Sequence, residues 1–155
     1  MSNPPDPSLD ILYLDNHLIA VRKPAGILTQ SDDSGGVSLM DQVKDWIKTE
    51  YKKPGKVFLG LVHRLDRPVS GIVVFARTSK GASRLSEQFR KKTTKKTYRA
   101  WVEGTPQPPQ ASLKHYLRKE KSLKATVFPR ATPNAKEAQL DYEVIETLQN
   151  TSLLD

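Results

Sequence analysis

The sequence predicts an α+β fold with a mixed, mainly antiparallel sheet and flanking helices. Short segments with alternating or β-branched apolar residues recur along the chain, as is typical of strands. Two other segments carry apolar residues at helical spacing. With 155 residues, 37% of them hydrophobic and 27% charged, the chain is expected to form one domain over residues 9–155, after a disordered tail over residues 1–8.

The N-terminal part predicts a β-hairpin followed by a helix. The apolar runs 9–14 and 17–22 flank an Asp-Asn pair, residue types that tolerate the positive φ of a tight turn. After a loop rich in Pro, Gly, Asp and Ser, Ser38 and Asp41 have the spacing of a helix-capping pair. We expect a helix from there to just before Pro54. Its apolar face comprises Leu39, Val43, Trp46 and Ile47.

The central part predicts two strands and a second helix. Residues 57–62 and 72–76 are rich in β-branched and aromatic types, so we expect strands joined by the structured loop HRLDRPVSG. Thr78 or Ser79 then caps a helix with one apolar and one basic face. The apolar face comprises Ala82, Leu85 and Phe89.

The remaining residues predict further strands. KKTYRAWVEG has alternating character, residues 112–117 and 123–128 fit a second hairpin, and AQLDYEVIE has a period of two. The chain stops at TSLLD, which has the composition of the beginning of an apolar strand. Because natural domains usually end at a polar tail or a completed element, we expect that more protein belongs here.

The composition excludes several kinds of site. The chain has no cysteine, which rules out disulfides, thiolate nucleophiles and cysteine-ligated zinc. Its three histidines lie far apart in sequence, so no metal is expected. No run approaches the roughly 18 apolar residues of a membrane span, and the opening MSNPPDPSLD does not resemble a signal peptide. We expect a cytoplasmic monomer that does not act at a membrane.

The net charge of +8 is unevenly distributed. Residues 77–99 hold nine Lys or Arg against one acid, and residues 114–124 hold five against one. The first 50 residues instead hold eight acids and four bases. Such asymmetry is expected of a nucleic-acid-binding protein, because cations that neutralise phosphates release counterions. Charge alone leaves open the alternative of a lysine-rich solvated surface.

The segment HRLDRPVSG is the candidate site. Asp66 is the only acid between Glu50 and Glu87, and it lies within two residues of Arg64 and Arg67. Nearby positive charge favours the carboxylate and keeps it available as a nucleophile or base. A loop held by strands at both ends also orients its side chains. From these residues alone, the alternative is that Asp66 forms a turn-stabilising ion pair with one of the arginines.

HRLDRPVSG closely resembles the catalytic motif of the RluA family of pseudouridine synthases. DNHLIAVRKPAG resembles the opening hairpin of the family, TSKGASRLSEQFRKKTTKKTYRAWVEG its helix and following strand, and AQLDYEVIETLQNTSLLD its later sheet. The resemblance covers nearly the whole chain. It implies a catalytic domain that isomerises uridines in ribosomal or transfer RNA to pseudouridine, with RNA as partner and no cofactor or metal.

The resemblance also implies roles for individual residues. Asp66 matches the catalytic aspartate, which acts in detaching uracil from its ribose so that it can rotate and rejoin through carbon. Arg64 matches an arginine that enters the helical stack in place of the flipped nucleotide, as a planar cation can. Tyr98 matches the aromatic residue that packs on the target uracil. The alternative for Tyr98 is a strand tyrosine in the core.

Three further cations are expected to bind RNA or support the site. Arg67 and Lys96 adjoin Asp66 and Tyr98 in sequence. Lys23, in KPAG, matches a family segment near the site, with a supportive role or an ordinary surface position as the alternatives. His63 adjoins the motif, but we interpret it as a strand-end histidine hydrogen-bonded to the backbone.

The chain departs from the family at its end. Family members continue into a segment resembling TGRxHQIRxHL, whose arginine pairs with the catalytic aspartate, and this chain contains none of it. Two hypotheses follow: a truncated synthase, or a catalytically silent RNA-binding module with the same fold. A protein kinase is excluded because there is no glycine-rich phosphate loop and no DFG, and the Gly35-Gly36 pair lacks the context of a phosphate-binding loop.

Overall fold

The computed structural model describes residues 9–32, 36–120 and 124–155. The expected tail over residues 1–8 lies outside them. The chain forms two compact units, a first unit over residues 1–95 and a second unit over residues 96–155. Within the described residues, no helix combines the length and apolar character needed to span a membrane.

The first unit contains a four-stranded antiparallel sheet in the order β1-β2-β4-β3. The predicted hairpin is confirmed, but its turn spans residues 15–17, and neither Asp15 nor Asn16 has the positive φ that the sequence leads us to expect. The Asp15 carboxylate instead fixes the turn by accepting from the backbone N–H groups of His17 and Leu18 at 2.7 and 2.6 Å. These hydrogen bonds hold the pKa of Asp15 below its usual value. The strands are β1 (Ile11–Leu14), β2 (Leu18–Lys23), β3 (Gly60–Leu61) and β4 (Gly71–Ala76).

The helix α1 (Leu39–Glu50) begins where the capping pair predicts. The Ser38 hydroxyl accepts from the Asp41 N–H, and the Asp41 carboxylate accepts from the Ser38 N–H. Hydrogen bonds from the hydroxyls of Ser31 and Ser38 lower the pKa of Asp41. Apolar side chains from α1, β2 and β4 form the core of this unit. Its buried members are Ile19, Val21, Leu39, Val43, Ile47, Leu59, Val73 and Phe75.

Replacing Ser38 with alanine is expected to lower the free energy of unfolding by about 1 to 2 kcal/mol, because the first turn of α1 loses its cap. Urea unfolding followed by circular dichroism measures the change. Ser86→Ala is the matched control, since Ser86 is exposed on a helix and caps nothing. An equal loss of stability in both variants would contradict the capping role.

The helix α2 (Ser79–Arg90) is capped by Thr78, whose hydroxyl accepts from the Gly81 N–H at 3.1 Å. The strand predicted over residues 57–62 is wrong in length, because only Gly60–Leu61 pairs with β4. Residues before Gly60 would have to pair with residues after Ala76, but there the chain leaves the sheet and enters α2, whose N-cap is Thr78. The expected strand therefore ends up mostly as loop.

The second unit is a five-stranded antiparallel sheet in the order β5-β9-β8-β6-β7. The second predicted hairpin is confirmed by β6 and β7, and the α+β class is confirmed for the chain as a whole. The strand predicted over KKTYRAWVEG is shorter than expected, because β9 offers partners only to Ala100–Glu103. The strands are β5 (Ala100–Glu103), β6 (Gln110–Lys119), β7 (Ala125–Phe128), β8 (Lys136–Leu148) and β9 (Thr151–Leu154).

Candidate active site

Asp66 lies in the loop between β3 and β4 of the first unit, and its side chain is exposed. The preceding residue, Leu65, is partly buried and packs against the hydrophobic core. Arg64 and Arg67 are exposed like Asp66. Within the described part of the chain, neither arginine forms an ion pair with Asp66, so the turn-stabilising pair that the sequence left open is not found.

The loop that carries Asp66, residues 62–70, is called the aspartate loop here. A second loop, residues 23–29, runs alongside it and is called the support loop. Gly26 and Arg67 exchange two hydrogen bonds. The Gly26 N–H donates to the Arg67 carbonyl at 2.8 Å, and Nε of Arg67 donates to the Gly26 carbonyl at 2.9 Å. Gly26 has a φ of +93°, which glycine adopts without the strain of a side chain. The residue after Asp66 is therefore fixed by both its backbone and its side chain.

Thr29 fixes the residue before Asp66. Its hydroxyl donates to the Leu65 carbonyl at 2.7 Å and accepts from the Leu65 N–H at 3.2 Å. The support loop is held in turn by α1, because the N–H groups of Leu39 and Met40 donate to the carbonyls of Leu28 and Thr29 at 2.9 and 3.1 Å. The first turn of α1 thus supports the aspartate loop through Thr29.

Lys23 is fully buried, with 0% of its surface exposed. Its Nζ donates to the carbonyls of Pro24, Ile27 and Arg67 at 3.1, 2.7 and 3.2 Å. Burial lowers the pKa of Lys23, and the nearby Asp66 carboxylate acts in the opposite direction. The ordinary surface lysine considered from the sequence is therefore wrong. Direct RNA binding by Lys23 would require its ammonium to leave three carbonyls, so the supportive role fits better.

His63 attaches the other side of the aspartate loop to the fold. Its Nε2 accepts from the Val74 N–H at 3.0 Å, which confirms the expected hydrogen bond to the backbone. The ring also stacks on Phe89 of α2, with centroids 5.0 Å apart. At the end of the loop, Gly71 has a φ of +148°, and a Cβ there would lie 3.2 Å from Cδ1 of Leu65. A side chain at this position would press on the residue that precedes Asp66.

Lys96 and Tyr98 belong to the second unit and are described within it. Both are exposed and precede β5. Tyr98 is 55% exposed, so the alternative of a strand tyrosine in the core is wrong. Lys23, Arg64, Asp66 and Arg67 all belong to the first unit. Within it, Nζ of Lys23 donates to the Arg67 carbonyl, and the Asp66 carboxylate lies near enough to influence Lys23.

Part of the predicted basic character is already neutralised within the protein. In residues 77–99, Lys91 pairs with Glu87 at 2.7 Å and Arg99 with Asp155 at 2.6 Å. Arg77 donates to the Asp15 carbonyl and lies over the ring of Tyr51. The cations of this segment without an ion pair in the described structure are Lys80, Arg84, Arg90, Lys92, Lys95 and Lys96.

The second basic cluster, residues 114–124, offers fewer free cations. Lys114 pairs with Glu137 at 3.0 Å, and Arg118 pairs with Glu120 at 2.8 Å while lying over the ring of Phe128. Lys121 lies outside the described residues. The segment with α2, residues 77–99, is therefore the stronger candidate for contact with an RNA backbone.

Thr29 is the residue of this site that sequence reasoning missed. It lies in a loop and pairs with a backbone that is 36 residues away in sequence. Neither the periodicity of apolar residues nor a local sequence motif predicts such a contact. Its position in the segment KPAGILT, which follows a strand and precedes a helix cap, is the only signal that the sequence offers.

Comparison with known proteins gives a consistent result. Residues 17–155 match the family described as RNA pseudouridylate synthase. Escherichia coli (strain K12) dual-specificity RNA pseudouridine synthase RluA is 34% identical over 152 residues, covering 93% of this chain and 63% of the relative. Haemophilus influenzae tRNA pseudouridine synthase C is 34% identical, covering 91% of this chain and 56% of the relative. Rickettsia bellii ribosomal large subunit pseudouridine synthase C is 29% identical, covering 93% of this chain and 46% of the relative.

The fold matches solved structures as well. Human RNA pseudouridylate synthase domain containing 4 superposes with a TM-score of 0.76 at 23% identity, covering 94% of this chain and 57% of the human chain. This chain spans 44 to 63% of the length of the relatives that match 88 to 93% of it. Both the family match and the relatives extend over the candidate site. The chain therefore belongs to the RNA pseudouridylate synthase family, in its RluA-type group.

Proposed function

We propose that this chain is an RNA pseudouridine synthase that isomerises specific uridines in ribosomal or transfer RNA, with Asp66 as the catalytic carboxylate. One observation carries the proposal. Asp66 is exposed and forms no ion pair with any other described residue, while the residues on both sides of it are held by hydrogen bonds from the support loop. Fixed neighbours and a free carboxylate are what a positioned reacting group requires. The names of the relatives include enzymes for both RNA classes.

The proposed reaction balances without an oxidant or reductant. The bond between N1 of uracil and C1′ of ribose breaks, and a bond between C5 and C1′ forms. The hydrogen on C5 leaves as a proton, and N1, which carries no hydrogen in uridine, gains a proton in the product. Asp66 acts in detaching the base, which must first leave the helical stack, as in other enzymes that modify a base. We include in the proposal a cytoplasmic monomer that needs no metal or cofactor.

Three further side chains are assigned to binding of the flipped nucleotide in this proposal. Arg64 is exposed two residues before Asp66, and its planar guanidinium can stack on bases and bond phosphates. Arg67 uses Nε to hold Gly26, which leaves its terminal nitrogens for a phosphate. The exposed ring of Tyr98 offers a face for packing on uracil. Lys23 supports the loop instead of contacting RNA.

The test is release of tritium from RNA labelled at uracil C5, since rejoining through carbon must expel that hydrogen. The wild-type chain is expected to release tritium from ribosomal or transfer RNA, and the Asp66→Ala chain is the control. Equal tritium release from both chains would contradict the assignment of Asp66 as the catalytic carboxylate. Identification of pseudouridine in the digested RNA confirms the product.

A catalytically silent RNA-binding module with the same fold is the second candidate, favoured by the cations of α2 that have no ion pair in the described structure. It predicts RNA binding without tritium release by the wild-type chain. A filter-binding measurement on the same RNA, made beside the tritium assay, separates the two candidates.

Removing Lys80 and Arg84 together is expected to weaken RNA binding and to reduce its salt dependence. These cations lie one turn apart on α2 and have no ion pair in the described structure. If each contacts one phosphate, the slope of log K against log salt falls by about 1.4 to 1.8 for the double alanine variant. Lys91→Ala is the control on the same helix, because Lys91 is already paired with Glu87. An unchanged slope in the double variant would exclude this face of α2 from the interface.

A further inference from the structure

The contacts of Leu65 determine how the peptide groups around Asp66 are oriented. The Leu65 carbonyl belongs to the peptide group that joins Leu65 to Asp66, and it accepts from the hydroxyl of Thr29 at 2.7 Å. The Asp66 carbonyl belongs to the next peptide group, and it accepts from the Val69 N–H at 3.0 Å. Both peptide groups that flank the Asp66 side chain are therefore fixed by hydrogen bonds.

Of these two hydrogen bonds, only the one from Thr29 comes from a side chain outside the loop. Thr29 is 3% exposed, and its hydroxyl also accepts from the Leu65 N–H at 3.2 Å. A hydroxyl has one donor and two acceptor positions, so it can make both bonds at once. The side chain of Leu65 packs against the core, which leaves this residue little freedom to turn. A rotation about Leu65 would break one or both bonds to Thr29.

We propose that Thr29 is a positioning residue, whose hydroxyl holds the backbone of Leu65 so that the carboxylate of Asp66 meets the target nucleotide in the reactive orientation. The inference rests on the proposed function of Asp66. Thr29 does not touch the nucleotide in this account. It acts on the reaction through its two hydrogen bonds to the backbone of Leu65. Thr29 is itself held by α1, because the Met40 N–H donates to the Thr29 carbonyl.

The experiment compares Thr29→Val with Thr29→Ser. Valine keeps the branched shape but removes the hydroxyl, whereas serine keeps the hydroxyl. Loss of orientation at a reacting group typically costs up to about 100-fold in rate, so we expect kcat for tritium release to fall about 10- to 100-fold in Thr29→Val. KM for the RNA is expected to stay within about twofold, because no RNA contact is removed. Thr29→Ser is expected to restore kcat to within about threefold of wild type.

Two controls distinguish a positioning role of Thr29 from a general contribution to stability. Thr132→Val removes a hydroxyl that donates to the Arg130 carbonyl at 3.0 Å, and its kcat is expected to equal that of wild type. All rates are measured well below the melting temperature of the least stable variant. Amide hydrogen exchange at Leu65 provides a second readout, because its N–H loses its acceptor in Thr29→Val and keeps it in Thr29→Ser.

The outcomes separate this inference from the proposed function. If the wild-type chain releases no tritium, the proposed function falls and the positioning role with it. If wild type is active but Thr29→Val keeps kcat within twofold, the inference alone is overturned. A fall in kcat that serine does not rescue, or unchanged exchange at Leu65, also overturns it. Loss of kcat with rescue by serine supports it.

Discussion

Replacing Asp66 with asparagine is expected to lower kcat for pseudouridine formation on the order of 10⁴-fold, a typical cost of removing a group that reacts with the substrate. Asparagine keeps nearly the same shape and polarity but cannot carry the negative charge. Binding of RNA is expected to persist, because the cations of the segment with α2 are unchanged. Tritium release under single-turnover conditions measures the loss.

The same substitution is expected to leave folding almost unchanged. The Asp66 side chain is exposed and forms no ion pair in the described structure, so the free energy of unfolding should stay within about 0.5 kcal/mol of wild type. Removing the carboxylate also removes the one influence that raises the pKa of Lys23, so that pKa is expected to fall further. Preserved stability with lost activity distinguishes a catalytic role from a structural one.

Two further variants make the comparison secure. Asp66→Ala guards against hydrolysis of the new carboxamide back to a carboxylate, which would restore activity slowly in the asparagine variant. Asp45→Asn is the matched control, because Asp45 is an exposed aspartate on α1 with no side-chain hydrogen bond or ion pair in the described residues. If Asp66→Asn and Asp45→Asn retain equal activity, Asp66 is not the catalytic carboxylate.

The local parts of this fold could be predicted from the sequence. The first hairpin, the Ser38 cap and the Thr78 cap are all set by residues within three positions of each other, and all are confirmed. The turn of the hairpin is one residue longer than the Asp-Asn pair predicts, because the Asp15 carboxylate binds the backbone of His17 and Leu18. Strand lengths were less accurate, because a strand extends only as far as its partner does. The segment before Ala100 shows this: the ladder with β9 stops there, and Arg99 pairs with Asp155 instead.

The support of the candidate site could not be predicted in the same way. HRLDRPVSG marks the loop, but Lys23 and Thr29 reach it from more than 35 residues away. One signal was available in hindsight. Ile19, Val21 and Lys23 alternate along β2, and all three are buried. Extending the period of two by one step predicts an inward lysine, but its charge favours the surface interpretation when the sequence is considered alone.

Replacing Lys23 with methionine is expected to lower the free energy of unfolding by about 1 to 3 kcal/mol. Methionine fills a similar volume, but it leaves the carbonyls of Pro24 and Ile27 without the donor that Nζ provides. Leaving the carbonyl of the partly buried Ile27 unpaired costs about 1 to 3 kcal/mol, whereas Pro24 is exposed and its carbonyl can bond to water. The Arg67 carbonyl keeps its hydrogen bond from Gly26 and is expected to contribute less. Urea unfolding measures the change.

Lys48→Met provides the matched control for this prediction. Lys48 is exposed in the last turn of α1 and has no ion pair in the described structure, so its replacement should change stability by no more than about 0.5 kcal/mol. If the two methionine variants were equally stable, the three hydrogen bonds of Lys23 would contribute nothing to folding.

The dependence on pH supplies an independent check. Burial holds the pKa of Lys23 in the folded protein below the value of about 10.4 expected for an unfolded chain. Between these two pKa values the unfolded chain binds more protons at Lys23 than the folded chain does. The contribution of Lys23 to the free energy of unfolding therefore rises with pH in this range, and it is lost as pH falls through the pKa of the folded protein.

Methionine does not titrate, and the other lysines and tyrosines are common to both chains. The advantage of wild type over Lys23→Met is therefore expected to grow as pH rises from neutral towards about 10. Unfolding of the two chains in urea at matched pH values measures this difference. A difference that stays constant over the range, or that shrinks, would mean that folding does not lower the pKa of Lys23.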